Sequence, residues 1–236
     1  MPPPSLRTLA LVCALGLAPA LARAQGEARS YDLARGQVLD LLLLADQPAN
    51  DSARDVYFRT AFPVAERHGF AFLPGFAVER PHLLGNRQPT AAVFGTWPSL
   101  AAREAALRAL EAEVDRFHAL RREIWSTFDV TYWELADDLA FVVPAGGYVT
   151  LTAYWSDDPA GLDALLARRR VAVAEAGGEA VAELRDGASP VGYRYAPDYL
   201  ALTVWTDAAA YAAARAAAPA PDDGGVLTQV HELALR

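Results

Sequence analysis

Four histidines, one interrupted apolar run and a few arginines on apolar stripes are the residues here whose types and spacing could support chemistry. The histidines are His68, His82, His118 and His231. No two have the spacing of a zinc motif, and neither H-E-x-x-H nor C-x-x-C occurs, so no protein-bound metal is expected. His68 closes a segment with helix-stop signals, where an imidazolium interacts favourably with the macrodipole. His82 follows Pro81 in a connecting hairpin and is expected to be exposed. His118 lies three residues after Asp115 and four before Arg122, which suits a solvated helix face. His231 falls in the last predicted strand. A neutral imidazole there could bond a ligand, act as a base or ligate haem iron, or it could be a hydrogen-bonded interface residue.

Asp40 interrupts "VLDLLLL", and a carboxylate in a buried strand needs a partner or a raised pKa. Arg121, Arg122 and Arg169 are the candidate partners. Arg169 falls on the stripe Leu162–Leu165–Leu166–Val173, where it either snorkels or points into a cavity. "YRY", 193–195, with Tyr154 and Trp155, either lines an aromatic pocket or packs as core. The candidate catalytic set is therefore His231, Asp40 and Arg169. The candidate ligand contacts are Trp133, Tyr154, Tyr193 and Arg121. No nucleophile elbow, phosphate loop or paired-carboxylate motif is present.

The chain ends bound the chemistry further. "MPPPSLRTLALVCALGLAPALARAQG" has one positive charge at Arg7, an apolar run from Leu9 to Leu17 and small residues at Ala22 and Ala24. That is a signal-peptide pattern with cleavage expected after Ala24, giving a periplasmic or secreted protein. The apolar run is about half the length of a bilayer-spanning helix, so no stable membrane insertion is expected. Loss of Arg7 and Arg23 leaves 19 Arg and no Lys against 29 acids, a formal charge of −10. So acidic a domain repels phosphate backbones, and nucleic acid is not an expected partner. Cys13 and Met1 are the only sulfur residues and leave with the leader. The remainder has no disulfide, no thiol nucleophile, no Met ligand and no lysine for Schiff-base chemistry.

The elements that must position these residues come in two rounds. Strands are predicted at 36–46, 70–78, 90–97 and 128–135, with helices at 50–69 and from Ser99 onward. In the second helix Leu107, Leu110, Val114, Phe117, Leu120 and Ile124 form one apolar stripe. The order β-α-β-β-α-β then recurs, with strands at 147–155, 179–184, 198–205 and 226–233. Its helices are 157–178 and the Ala-rich "DAAAYAAARAAA", followed by a loop at 216–225. "AVFGTWPSLAAREAALRAL" and "ALTVWTDAAAYAAARAAA" are the same strand–Trp–turn–helix signal written twice. The endings "VTYWEL" and "QVHEL" also echo, aligning Glu134 with Glu232 and Trp133 with His231. A split β-α-β unit puts both helices on one face of a four-stranded sheet and leaves the other face bare. Two copies in one chain can cover each other's bare faces. The expectation is α+β, with two fused ferredoxin-like repeats (36–136 and 146–235) forming an intrachain pseudo-dimeric α/β barrel that is able to stay monomeric.

This pattern resembles the dimeric α/β-barrel superfamily. Residues 36–135 are similar to a small uncharacterised domain family of it, through Tyr57, "ERHG", "PTAAVFGTWPSLAAREAAL" and "FHALRREIWSTFDVTYWEL". The "WPSLAAR" stretch also resembles the NIPSNAP relatives, which carry two units per chain. Gly177–Gly178 keeps the double glycine usual after the first helix, and Gly69–Phe70 replaces it. The resemblance implies either a small-molecule binding protein of unassigned activity or an enzyme of monooxygenase, isomerase or haem-oxidoreductase type. An envelope protein-interaction module is the third reading. No catalytic signature selects among them, because a fold does not imply a function. Haem is the one cofactor the resemblance raises.

Overall fold

The computed structural model describes residues 27–48, 50–79, 81–217 and 225–236. The expected leader and most of the expected loop at 216–225 lie outside them. A short strand β1 (Arg29–Leu33) precedes the first repeat. That repeat comprises β2 (Val38–Asp46), α1 (Asp51–Arg67), β3 (Ala71–Phe72), β4 (Phe76–Ala77), β5 (Ala91–Trp97), α2 (Leu100–Glu113), α3 (Phe117–Ile124) and β6 (Trp125–Glu134). After β7 (Leu139–Val143) the second repeat runs β8 (Tyr148–Trp155), α4 (Pro159–Glu175), β9 (Gly178–Arg185), β10 (Tyr199–Trp205), α5 (Ala208–Ala217) and β11 (Gln229–Leu235). The sheets have orders β3-β5-β2-β6, with β4 also on β5, and β11-β8-β10-β9. Each has the first strand of its repeat in the middle beside the third and fourth. The topology is the same in both halves.

Period-two alternation decides which side chains meet between the sheets. Leu39, Leu41 and Leu43 of β2 point one way and join Val149, Leu151 and Ala153 of β8 in a single buried cluster. Leu200, Leu202, Leu233 and Leu235 complete its second-repeat side. Burying each large aliphatic side chain stabilises the fold by roughly 1.5–3 kcal/mol. The bare sheet faces therefore cover each other. Backbone pairs close the seams between repeats: Ala77 with Arg236, Leu84 with Glu232, and Tyr132 with Ala188, each exchanging two hydrogen bonds. Among the described residues no helix is long and apolar enough to cross a membrane.

Four details differ from the sequence reading. β1 and β7 form an antiparallel pair that the sequence reading did not include, with Tyr31 stacked on Phe141 at 4.3 Å. The strand expected at 70–78 is split into β3 and β4 around Pro74, which has no backbone donor. The long helix after Ser99 breaks into α2 and α3, because Arg116 adopts a left-handed conformation with φ 55°. Leu110, Val114, Phe117 and Leu120 nevertheless pack in one cluster with Ala61 and Val64, so the stripe survives the break.

The fourth concerns the echo at the strand ends. Leu39 pairs with Trp133 and Val149 with Leu235, while Leu43 pairs with Asp129 and Ala153 with His231. Trp97 and Trp205 pair with Val38 and Tyr148, which fixes the equivalence of β2 and β8. His231 is thus equivalent to Asp129, and Trp133 to Leu235. The echo is out by four residues. A slip of four, being even, keeps every side chain on its own face, so the hydrophobic pattern alone could not expose it.

A candidate ligand cavity in the first repeat

The helix-facing side of the first sheet carries Asp40, Leu42, Leu44 and Val130, and α1, α2 and α3 do not close down on it. A cavity of about 210 Å³ remains. Its walls are aromatic: Tyr57, Phe58, Phe62, Phe70, Trp125 and Phe128 all line it. Phe72, also lining it, is 42% exposed and marks the mouth. Phe62 stacks on Phe72 at 5.2 Å, and Tyr57 meets Trp125 edge-on at the same distance. Gly95 makes room for Phe70, since a Cβ there would lie 2.4 Å from the ring.

Three arginines and two aspartates line this space. Asp40 accepts from Arg103 Nε at 2.7 Å and from Trp97 Nε1 at 3.0 Å. Both charged groups are buried, at 5% and 7% exposure, and the guanidinium also lies 3.7 Å from the Tyr132 ring centre. Burial pushes the Asp40 carboxyl above its usual range, against the pull of Arg103 and Trp97. Asp46 pairs with Arg54 at 2.7 Å.

Arg121 is different. Its Nε donates to Tyr57 Oη at 3.2 Å and its Nη1 to Tyr193 Oη at 3.0 Å. The rings of Phe117 and Phe128 lie 4.0 and 4.5 Å from its Cζ. Burial works against its charge, and the two phenol oxygens outweigh that, so its pKa stays above the ordinary arginine value. Pro190 lines this cavity from the loop after β9, and Tyr193 of the same loop holds Arg121, so both repeats build the site. That loop is tied down by Ser189 Oγ donating to the Val130 carbonyl at 2.7 Å.

The sequence candidates do not converge on one place. Asp40 and Arg121 line the cavity, and Tyr193 is bonded to Arg121. Arg103 is the partner of Asp40, in place of the expected Arg121, Arg122 or Arg169. Arg103 stands four and seven residues before Leu107 and Leu110, so its place on the apolar face of α2 was readable from spacing. Arg169 lies in the second repeat with its Cζ 5.3 Å from the Tyr154 ring, and Tyr154 packs with Leu162, Leu166 and Tyr199. Trp133 is buried between the sheets.

His231 is also in the barrel interior, 1% exposed, with Nδ1 2.8 Å from Tyr195 Oη. Its Nε2 has no hydrogen-bond partner of normal geometry among the described residues. Burial pushes its pKa down to about 4, and the nearby Arg87 main chain offsets this only slightly. Asp129, its equivalent, pairs with Arg87 at 2.5 Å, and the Arg87 Cζ lies 5.4 Å from the Tyr195 ring.

No family model matches the chain, and no curated protein matches it. Solved structures do. An anthrone oxidase-like protein superposes with a TM-score of 0.52 at 14% identity, covering 87% of this chain and 93% of its own. Chlorite dismutase from Candidatus Nitrospira defluvii, in complex with imidazole, superposes with a TM-score of 0.48 at 9% identity, covering 86% and 92%. The likeness is one of fold: two ferredoxin-like units in one chain, arranged as a dimeric α/β barrel.

The residues present do not fit a haem in this cavity. None of the four imidazoles lines it. His231 is enclosed under the hairpin that follows β4, where a Cβ on Gly85 would meet its ring at 2.6 Å. His82 uses both nitrogens, on Gln88 Oε1 and the Pro89 carbonyl. His118 bonds Glu111 at 3.0 Å, and His68 caps the end of α1.

Proposed function

We propose that the chain is an exported protein that holds a small, partly apolar molecule between the helices and sheet of its first repeat. One observation carries the reading: an aromatic-walled cavity with a few polar groups on one side, the usual composition of a ligand site. Its volume of about 210 Å³ is below the roughly 300–1,000 Å³ typical of drug-sized ligands, so the occupant is small. Apolar walls of this kind supply affinity, and the arginine and phenol groups supply orientation. A binder of the folded state raises the melting temperature, by about 2.7 kcal/mol of added stability when present at a hundred times Kd. The test is a melting-temperature screen against a metabolite library, joined with native mass spectrometry of the purified protein. No shift and no co-purified mass would overturn the reading. Export is tested separately, by the mass of protein recovered outside the cytoplasm, which should lack residues 1–24.

A second reading is an oxygenase- or isomerase-like enzyme. One observation favours it: the Asp40 carboxyl, raised by burial, lines the same cavity. Both of its oxygens are already engaged, which suits a positioning role better than that of a base. Oxygen uptake with anthrone, compared in the wild type and Asp40→Asn, decides this reading. Identical traces from the two proteins would remove it.

A further inference from the structure

We infer that Arg121 anchors a carboxylate, and that the ligand of the cavity is an aromatic carboxylic acid bound as its anion. The inference rests on the cavity being a ligand site, as proposed above, and adds the charge and shape of what enters. Its starting point is a mismatch. Arg103 and Arg54, the other guanidinium groups lining the cavity, each have a carboxylate, Asp40 and Asp46. Among the described residues no carboxylate lies within ion-pair distance of Arg121. A cation enclosed by protein is costly unless it is paired and hydrogen-bonded, and two neutral phenols do not neutralise it. Within a chain of net charge −8, the lining of this cavity carries one surplus positive charge.

The donors left over define the acceptor. A guanidinium has five N–H groups in a planar fork, and Tyr57 and Tyr193 occupy two of them. Three remain, with Nη2 bonding no described residue. A planar two-oxygen acceptor matches such an edge, whereas a single hydroxyl would leave donors unmet. The rings around the fork define the rest. Phe128 and Tyr57 belong both to the cage of Arg121 and to the wall of the cavity, so a flat ring joined to a carboxylate held at the guanidinium meets aromatic walls. The phenols also hold the fork from two elements, α1 and the loop after β9, so it is oriented before any ligand arrives.

The experiment uses the purified protein with naphthoate and its neutral isostere naphthamide, titrated by calorimetry. The wild type should bind naphthoate at least about tenfold more tightly, and Arg121→Gln should erase that preference while keeping the affinity for naphthamide. Equal affinity of the wild type for both probes, or an unchanged preference in Arg121→Gln, would overturn the carboxylate inference and leave the cavity reading standing. Binding of neither probe, with no library hit either, would overturn the cavity reading itself. Should Arg121→Gln fail to fold, Arg121→Lys keeps the charge and loses the fork. Its preference must then fall several-fold, and an undiminished preference would overturn the inference.

Discussion

At equivalent positions the two repeats solve the same packing problem with different chemistry. In the first, Trp97 donates to Asp40, which pairs with Arg103. In the second, Trp205 donates to Thr150 Oγ1 at 2.9 Å, and Tyr211 takes the place of Arg103, its ring centre 5.5 Å from Trp205. The helix N-caps confirm the alignment, since Ser99 and Asp207 each accept from the backbone three residues on. One layer along the sheet the roles reverse. Leu42, Leu107 and Val130 are apolar and line the first repeat's cavity. Their counterparts are Thr152, Arg215 and Glu232, in which Arg215 pairs with the buried Glu232 at 3.1 Å and Thr152 bonds its other oxygen. The ion pair of one repeat sits where the other has apolar floor. α3, which carries Arg121, has no counterpart among the described residues of the second repeat. Duplication of a fold therefore did not duplicate a site.

The largest expected effect comes from breaking the first repeat's pair. Asp40→Ala strands a buried guanidinium and should cost about 3–5 kcal/mol, read by urea denaturation. Asp40→Thr combined with Arg103→Tyr writes the second repeat's solution into the first and should recover most of that loss. A double variant no better than Asp40→Ala would show that the two repeats are not interchangeable at this layer.

Next comes the pair of equivalent barrel residues, Asp129 and His231, whose pH dependences have opposite signs. The folded His231 has a pKa near 4, against 6.5 for the free imidazole, so between those values the folded state binds fewer protons. Its contribution is complete above pH 6.5 and is lost as the pH falls towards 4, on the order of 3 kcal/mol in all. Asp129 is pushed above 3.8 by burial, so its contribution instead declines as the pH rises past that value. Urea melts at pH 4.5 and 7 should show His231→Gln losing much less stability on acidification than the wild type. Equal losses would mean that His231 is not held neutral by its surroundings.

What the sequence made legible follows the same division. The duplicated order of elements was readable because alternation and three- and four-residue spacings are local signals, and the facing of the sheets followed from their bare sides. Asp40's need for a partner was readable for the same reason, being one acid in an apolar run. Its partner lies 63 residues away, and three other arginines satisfied the pattern equally well. The cage of Arg121 was half visible, since Phe117 precedes it by one helical turn. Tyr57, Phe128 and Tyr193 come from three other elements, and only the closed barrel brings them together. β1 and β7 are five residues each, too short for alternation to outweigh the acidic and turn-like residues around them.

The cavity comparison can be sharpened by exchanging the floors. Leu107→Arg with Val130→Glu imports the second repeat's ion pair into the first and should fill the space, weakening naphthoate binding about tenfold, or roughly 1.4 kcal/mol. The mirror exchange, Arg215→Leu with Glu232→Val, should leave that affinity unchanged. Calorimetry on both variants separates occupation of the floor from general loss of stability, since only the first alters the cavity.

The smallest effect belongs to the second repeat's neutral bond. Thr150→Val keeps the shape of the side chain and removes the hydroxyl that Trp205 Nε1 donates to, leaving one buried N–H unmet at a cost of about 1 kcal/mol. The bond it breaks is as short as the Trp97–Asp40 bond, so length alone predicts equal losses at the two sites. Charge predicts otherwise: removing Asp40 strands a cation as well as an indole, whereas removing the Thr150 hydroxyl strands only an indole. If Thr150→Val in urea denaturation matched Asp40→Ala, the division into a charged repeat and a neutral one would have no energetic content. A loss several-fold smaller shows that the same tryptophan, placed twice by one fold, serves a costly polar arrangement beside the cavity and an inexpensive one away from it.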